Sequence, residues 1–340
     1  MEILRQFGAN SIHAQARVQI ERLKTTGAKE GFNNRTTFLV DDNGNKYAGK
    51  TMKEQPSVEE GIIEIAPALD PNKIKKEVLI SNELGKIGFP TPPCVFYDEE
   101  SPRFAIFRWV DGQEVNFNEI REKSLELRLK FASTIGTFVG TFFEIQKGEL
   151  LNFFLNKIPG RANFSSVRDK HRYRFEKSKS YLASLNILSP EEEVKIDKVF
   201  NDNIDLVPES EFKLVHGDIY SGNLFMSSED HVNGLIDWSD SAEIDDPLID
   251  NVLTARWLAF DGELNNYVDS NSQIVFDKFI SAANTKAHTN YDSRLCYQLI
   301  PFFDTLWHLK ILVTEHHRVS DAGVRFFEAN LRKLLANSGY

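Results

Sequence analysis

The stretch from Leu214 to Asn251, LVHGDIYSGNLFMSSEDHVNGLIDWSDSAEIDDPLIDN, constrains this chain more than any other. An apolar run ends at Leu214-Val215, His216-Gly217-Asp218 turns the chain, and Asn223 follows Asp218 at the spacing D-x-x-x-x-N. A carboxylate that takes a proton from an incoming hydroxyl has to sit on the acceptor side of a phosphate. An amide oxygen five residues on can reach back to a metal between phosphates, so one short loop supplies both groups.

Two short apolar segments, Leu224-Phe225-Met226 and Leu235-Ile236, flank the polar run from Ser227 to Gly234 and predict a β-hairpin. That hairpin returns Asp237 close to Asn223, so two oxygen donors converge on one hard cation such as Mg²⁺. Each piece has an ordinary structural reading by itself: HGD as a tight turn, an Asp after an apolar pair as a helix cap, an Asn as a turn residue. Together and in this order they predict a phosphoryl-transfer centre.

HGDIYSGN followed by GLIDWSDSAEIDDPLIDN resembles the aminoglycoside phosphotransferase and choline kinase-like superfamily, protein-kinase-like enzymes that phosphorylate small molecules. The resemblance extends over most of the chain. It implies an α+β, two-lobed fold: a nucleotide-binding lobe over residues 1–111, with an antiparallel sheet plus helix, and a larger, mainly helical lobe over 112–340. It also implies Asp218 as the catalytic base, Asn223 and Asp237 as Mg²⁺ ligands, and Asp250 as the acid that steadies the loop. His216 then holds the loop by hydrogen bonds and ligates no metal. The phosphate donor implied is ATP or GTP.

Residues 1 to about 30 read as one or two amphipathic helices, with Ile12, Ala16 and Ile20 at helical spacing. Thr36 to Val40 and Lys46 to Met52 read as strands joined by an Asn-Gly turn. Gly31 to Arg35 falls where a kinase loop covers phosphates; without a G-x-G-x-x-G its glycines alone describe a surface turn. Lys50 is the expected phosphate lysine, with Lys46 and Lys53 as competitors. The helix over 72–87 resembles its superfamily counterpart and puts Glu77 where the lysine's carboxylate partner belongs, beyond an irregular or partly helical insertion over 54–71. A strand over 104–110 leads to the expected hinge, where backbone groups near Phe107 to Trp109 would meet the nucleotide base.

The apolar positions of 124–146 recur at helical spacing and predict the central helix of the second lobe. Where the superfamily often has a histidine near its end, Glu144-Ile145-Gln146 stands instead. Residues 147–210 form the expected helical insertion. Its basic stretch, including Arg161, Arg168, Lys170, His171, Arg172 and Arg174, is expected to be a solvated helix face. Further helices are expected over about 270–340, among them Ser293 to His317. Glu243, Asp245, Asp246, Asp261, Glu263, Asp304 and Glu315 are alternatives for contacts to a cationic acceptor, each equally readable as a cap or a solvent-facing charge. His316-His317 is expected at the surface, without metal.

Forty basic residues against 50 acidic ones leave a net charge of −10, which argues against nucleic acid or an anionic membrane as partner and favours a cationic ligand. Two distant cysteines, Cys94 and Cys296, make neither a disulfide framework nor a zinc site, as expected of a cytoplasmic protein. The N-terminal segment has no apolar core of the signal-peptide kind, and the longest uncharged run, Phe131 to Phe143, is too short to span a bilayer. The expected activity is transfer of the γ-phosphate to a hydroxyl of a small, aminoglycoside-like acceptor. A macrolide, choline, homoserine or a glycated amine is the alternative. The alternative of another class is a nucleotide-binding pseudokinase or regulatory module, which would normally lack one of Lys50, Asp218, Asn223 or Asp237, and none is missing; a protein kinase would need a long segment after Asp237 closed by A-P-E, which is absent.

Overall fold

A computed structural model describes residues 22–30, 34–53, 60–97, 103–158, 164–228, 230–260, 270–317 and 321–337. Five strands form an antiparallel sheet in the order β1-β2-β3-β5-β4: β1 (Lys24–Glu30), β2 (Asn34–Val40), β3 (Lys46–Met52), β4 (Cys94–Tyr97) and β5 (Phe104–Arg108). The β2–β3 turn is built by Asp41, whose carboxylate accepts from the amides of Asn43 and Asn45, and by Gly44 at φ 83°. Along β5 the side chains alternate. Phe104 and Ile106 pack with Leu39 on one face, while Ala105 and Phe107 pack with Met52, Ile74 and Val78 on the other. Ile74 and Val78 belong to helix α2 (Lys73–Lys86), which therefore covers the second face and carries Glu77 with it.

Residues 24–30 were expected to end a helix and instead form edge strand β1, which pairs from Lys24 opposite Val40 to Glu30 opposite Arg35. Ladder hydrogen bonds to β2 decide this, since Lys-Thr-Thr-Gly-Ala-Lys-Glu has no apolar stripe to bury as a helix. Ile12, Ala16 and Ile20 lie outside the described residues. Of the expected phosphate loop, Asn34 and Arg35 belong to β2 and 31–33 lie outside the described residues. The described part of the 54–71 insertion is α1 (Glu60–Ile63) and a 3-10 turn (Pro67–Leu69); Ile65, Ala66 and Leu69 are buried in the core of the helical lobe.

After a short strand β6 (Gln113–Glu114), the second lobe contains α3 (Phe117–Arg121), α4 (Leu125–Glu144), α5 (Gly148–Lys157), α6 (Val167–Ser184) and α7 (Pro190–Asn203). Two small sheets follow. β7 (Lys213–Val215) pairs with β10 (Glu243–Asp245), and β8 (Leu224–Ser228) with β9 (His231–Leu235) and β6. The remainder is α8 (Leu248–Ala259), α9 (Ser270–Ala287), α10 (Ser293–Gln298), α11 (Ile300–His317) and α12 (Asp321–Asn337). The single helix expected over 293–317 is two, parted at Leu299, where Pro301 in the first turn of α11 has no amide to continue the earlier helix. Helix α4 packs on α9 so closely that a Cβ at Gly136 or Gly140 would lie 2.5 Å from a carbonyl oxygen of Phe279 or Ala283. No helix among the described residues is long and apolar enough to cross a membrane.

Candidate active site

The loop after β7 is anchored from both ends. Gln146, just past the end of α4, is wholly buried; its amide oxygen accepts from Leu214 N (2.8 Å) and its nitrogen donates to Leu214 O (2.9 Å). Asp250, in the first turn of α8, accepts from the amides of His216 and Gly217 at 2.7 Å each. Burial first of all pushes this carboxyl up to about 7, against the pull of those two amides. Gly217 has φ 73°, and a Cβ there would meet Ser241 O at 2.9 Å, so the turn is reserved for glycine. His216 Nε2 donates to Ile236 O (2.8 Å) and the ring packs edge-on against Trp238. Burial lowers His216 to about 4, so a neutral imidazole ties the loop to the strand that carries Asp237.

This tie brings three acceptors and a lysine together. Asn223 donates through Nδ2 to Asp218 O (2.9 Å) and Asp218 Oδ2 (3.0 Å), leaving its amide oxygen available as a ligand. Ile236 N donates to Asn223 O (2.9 Å), which fixes Asp237 beside the loop. Asp237 has φ 67°, a left-handed conformation unusual outside glycine and typical of residues aimed at a functional centre. Lys50 Nζ donates to Glu77 Oε2 (2.7 Å), Asp237 Oδ1 (2.6 Å) and Ser239 Oγ (2.9 Å). The competitors Lys46 and Lys53 are exposed on the same strand and just past it.

Charge is distributed unevenly here. Burial disfavours the Lys50 ammonium, but Asp237 and Glu77 outweigh it and hold the lysine protonated above its ordinary range. Burial lifts Glu77 to about 6 despite Lys50. Asp237 resists the same burial because Lys50 and Ser239 hold it down at about 2. Asp218 has no such cation at hand: burial, then the neighbouring charge of Asp237, push it up to about 7, only partly offset by Lys310 and Asn223. Two carboxylates side by side are thus tuned apart, one to stay ionised and one to exchange a proton near neutrality.

Both open onto a cleft of about 350 Å³ between the sheet and the helical lobe, whose wall includes Thr36, Lys50, Phe107, Asp218, Asp237 and Lys310. Phe107 stands on that wall. The amides of Arg108 and Trp109 are already used by the sheet, donating to Pro93 O and Lys46 O, and the Trp109 ring packs edge-on against Phe38. The donor set fits a hard cation: the Asn223 amide oxygen and Asp237 Oδ2 are free of the bonds just described, and oxygen ligands of this kind suit Mg²⁺. Among the described residues no group of three or more His, Cys, Asp or Glu could hold a metal, so phosphate and water oxygens would complete the shell.

The acids expected to meet a cationic acceptor are largely taken. Glu243 Oε2 is held by Lys170 (3.0 Å) and Arg174, and Asp245 Oδ2 by the same pair at 2.7 and 2.6 Å. Asp304 pairs with Arg256 (3.0 Å), and Asp246 accepts from Ser210 (2.9 Å) and lies 3.6 Å from His171. The solvated face expected of the basic stretch on α6 is therefore corrected in part: Lys170 and His171 are buried and Arg174 is half-buried, while Arg172 is exposed. Burial opposes the charge on Glu243, yet Arg174, Lys170 and Lys310 hold it well below the usual carboxylate range. The pairing had a signal: Glu243 and Asp245 alternate onto one face of a strand, and Lys170 and Arg174 are four apart on one helix face. His317 also departs from a bare surface residue: its Nε2 lies 2.8 Å from Tyr181 OH, and the two rings stack. Asp261, Glu263 and Arg161 lie outside the described residues.

Residues 24–274 match the phosphotransferase enzyme family, and the chain belongs to it. It is accordingly an enzyme that transfers a phosphoryl group to a hydroxyl, of the class whose members act on small molecules. No curated protein matches the chain. Among solved structures it is similar to a macrolide 2′-phosphotransferase type I (14% identity, 94% of this chain and 98% of that one, TM-score 0.64). It is likewise similar to an aminoglycoside phosphotransferase in complex with GDP and kanamycin (15%, 98% and 97%, TM-score 0.63). A third is an ethanolamine kinase of Plasmodium vivax (14%, 98% and 93%, TM-score 0.62).

Proposed function

We propose that the chain is a Mg²⁺-dependent kinase that moves the γ-phosphate of ATP or GTP to a hydroxyl of a small acceptor. The observation that carries this reading is the convergence of Lys50, Asp237 and the Asp218–Asn223 pair on one cleft, with Glu77 behind the lysine. Lys50 holds the donor phosphates, Glu77 orients Lys50, and the base lies beside Phe107 and Trp109, which follows the end of β5. Asn223 and Asp237 would hold Mg²⁺, which would neutralise the charge that develops on the donor phosphates. Asp218 orients the acceptor hydroxyl and receives its proton, a task suited to a carboxyl lifted to about 7. The likeness to structures carrying ATP and GDP supports a nucleotide donor without choosing between the two.

The net charge of −10 supports a cationic acceptor of the aminoglycoside kind. A second reading, a macrolide or a compact metabolite such as an amino alcohol, is favoured by the internal pairing of Glu243, Asp245 and Asp304, which are no longer available to several ammonium groups. The test is ADP or GDP release with Mg²⁺ across pooled aminoglycosides, macrolides, amino alcohols, hydroxy amino acids and glycated amines, with Asp218→Asn alongside. A pool that raises release by the native enzyme and not by the variant supports the reading and picks the acceptor class. Equal release by both sinks the role of Asp218.

A further inference from the structure

Phosphoryl transfer spreads negative charge over three equatorial oxygens, and stabilising that charge is most of what the protein contributes. On the donor side Lys50 serves. The acceptor-side loop, Asp218-Ile219-Tyr220-Ser221-Gly222-Asn223, contains no cation. Among the described residues on the cleft wall the only cations are Lys50 and Lys310, and Lys50 is already engaged by Glu77, Asp237 and Ser239 at 2.6–2.9 Å.

Lys310 comes from α11, where its neighbours Ile311 and Thr314 face the same cleft. It also lines a smaller cavity bounded by Gly217, Glu243 and Trp307, and among the described residues it is the one side chain shared by the two. Its contact to Glu243 Oε1 is long, 3.4 Å, and Glu243 does not depend on it. The carboxylates of Glu243 and Asp245 are already matched by two cations, Lys170 and Arg174, at 3.0 Å or less. The charge of Lys310 is therefore surplus to that cluster, and its ammonium has donors to spare beside the catalytic loop.

We propose that Lys310 is a catalytic residue that binds the transferring phosphoryl group from the acceptor side. The proposal rests on the kinase reading above. In the step, the acceptor oxygen bonds to the γ-phosphorus as the bond to the bridging oxygen breaks. The electron pair of that bond leaves with the nucleoside diphosphate, and the hydroxyl proton passes to Asp218. Lys310 keeps its protons throughout and donates to the equatorial oxygens.

Aluminium fluoride with Mg²⁺ and ADP or GDP mimics that planar group and needs no knowledge of the acceptor. The native enzyme, Lys310→Met and Lys310→Arg are compared for binding of the Mg-diphosphate with and without aluminium fluoride, by calorimetry and ¹⁹F NMR, with melting temperature as a control on folding. Fluoride should tighten binding in the native enzyme; Lys310→Met should keep diphosphate affinity within about threefold but lose roughly tenfold or more of the fluoride gain, and Lys310→Arg should restore most of it. Two outcomes overturn the inference alone: a Lys310→Met gain equal to the native one, or a parallel loss of diphosphate binding, which would make Lys310 a nucleotide or folding residue. A native enzyme that binds neither diphosphate with Mg²⁺ overturns the kinase reading itself, and this inference with it.

Discussion

Two buried ionic clusters lie within this fold, and they are built alike. In one, Lys50 of the sheet meets Glu77 of α2 and Asp237 of the second lobe; in the other, Lys170 and Arg174 of α6 meet Glu243 and Asp245 of β10. Both join segments far apart in sequence. They differ in what is left over. The α6 cluster pairs two cations with two carboxylates, and Asp245 is wholly buried. The Lys50 cluster opens on a cleft, and the Asp237 side chain is about one-third exposed at 35%. Exhausted charges hold a structure together, whereas charges with unused coordination in a cleft can bind a ligand and do chemistry.

The sharpest test of that contrast is the acid that neither cluster neutralises. Asp218→Asn should lower kcat by about 10³-fold, within the range a general base supplies, while nucleotide affinity stays within about threefold. Measured by product release and by titration with the nucleotide, a variant that turns over normally would break the division between the two clusters.

The next largest effects should split by cluster. Arg174→Met leaves the buried carboxylates of Glu243 and Asp245 with one cation fewer, and should cost about 3–5 kcal/mol of stability in denaturant titration. Lys50→Met should cost less stability, about 1–2 kcal/mol, because water and cations can reach Asp237, yet should reduce kcat/KM by about 10²-fold. Equal destabilisation with equal loss of activity would mean that both clusters are merely structural.

Much of the site was legible because its chemistry is local. Asp218 and Asn223 share one loop, and a hairpin must return Asp237 to it. Lys50 and Glu77 could be paired because the helix over 72–87 resembles its superfamily counterpart, and in the structure that helix packs on the strand carrying Lys50. The α6 cluster escaped because its partners are about 70 residues apart, and a run of Lys and Arg on a helix looks solvated until the strand facing it is known. Edge strand β1 escaped for a related reason: Lys24 to Glu30 is specified by pairing with β2, not by its own alternation. Gln146 looked like a departure in detail, yet the oxygen and nitrogen of its one side-chain amide bond the backbone N–H and C=O of Leu214.

The smallest predicted effects concern pH, and they set activity against stability at one residue. Asp218 is lifted to about 7, so below that pH the free enzyme holds it protonated and unable to take the acceptor's proton. kcat/KM should therefore fall about tenfold per pH unit below that value. For stability the sign is reversed. A carboxyl whose folded pKa lies above its unfolded value binds the proton more tightly in the folded state, so its stabilising protonation is complete below the unfolded value of 3.8 and is lost as pH rises through about 7. Asp218→Asn, which carries no charge at any pH, should therefore melt higher than the native chain at pH 8 in EDTA, and this advantage should shrink steadily toward pH 4. Added Mg²⁺ should narrow the gap at pH 8, because a cation held by Asp237 offsets the neighbouring charge that raises Asp218. A variant with no advantage at pH 8 would mean that Asp218 is solvated and unstrained, and the contrast between a neutralised cluster and an exposed, costly one would no longer hold at the residue where it matters most.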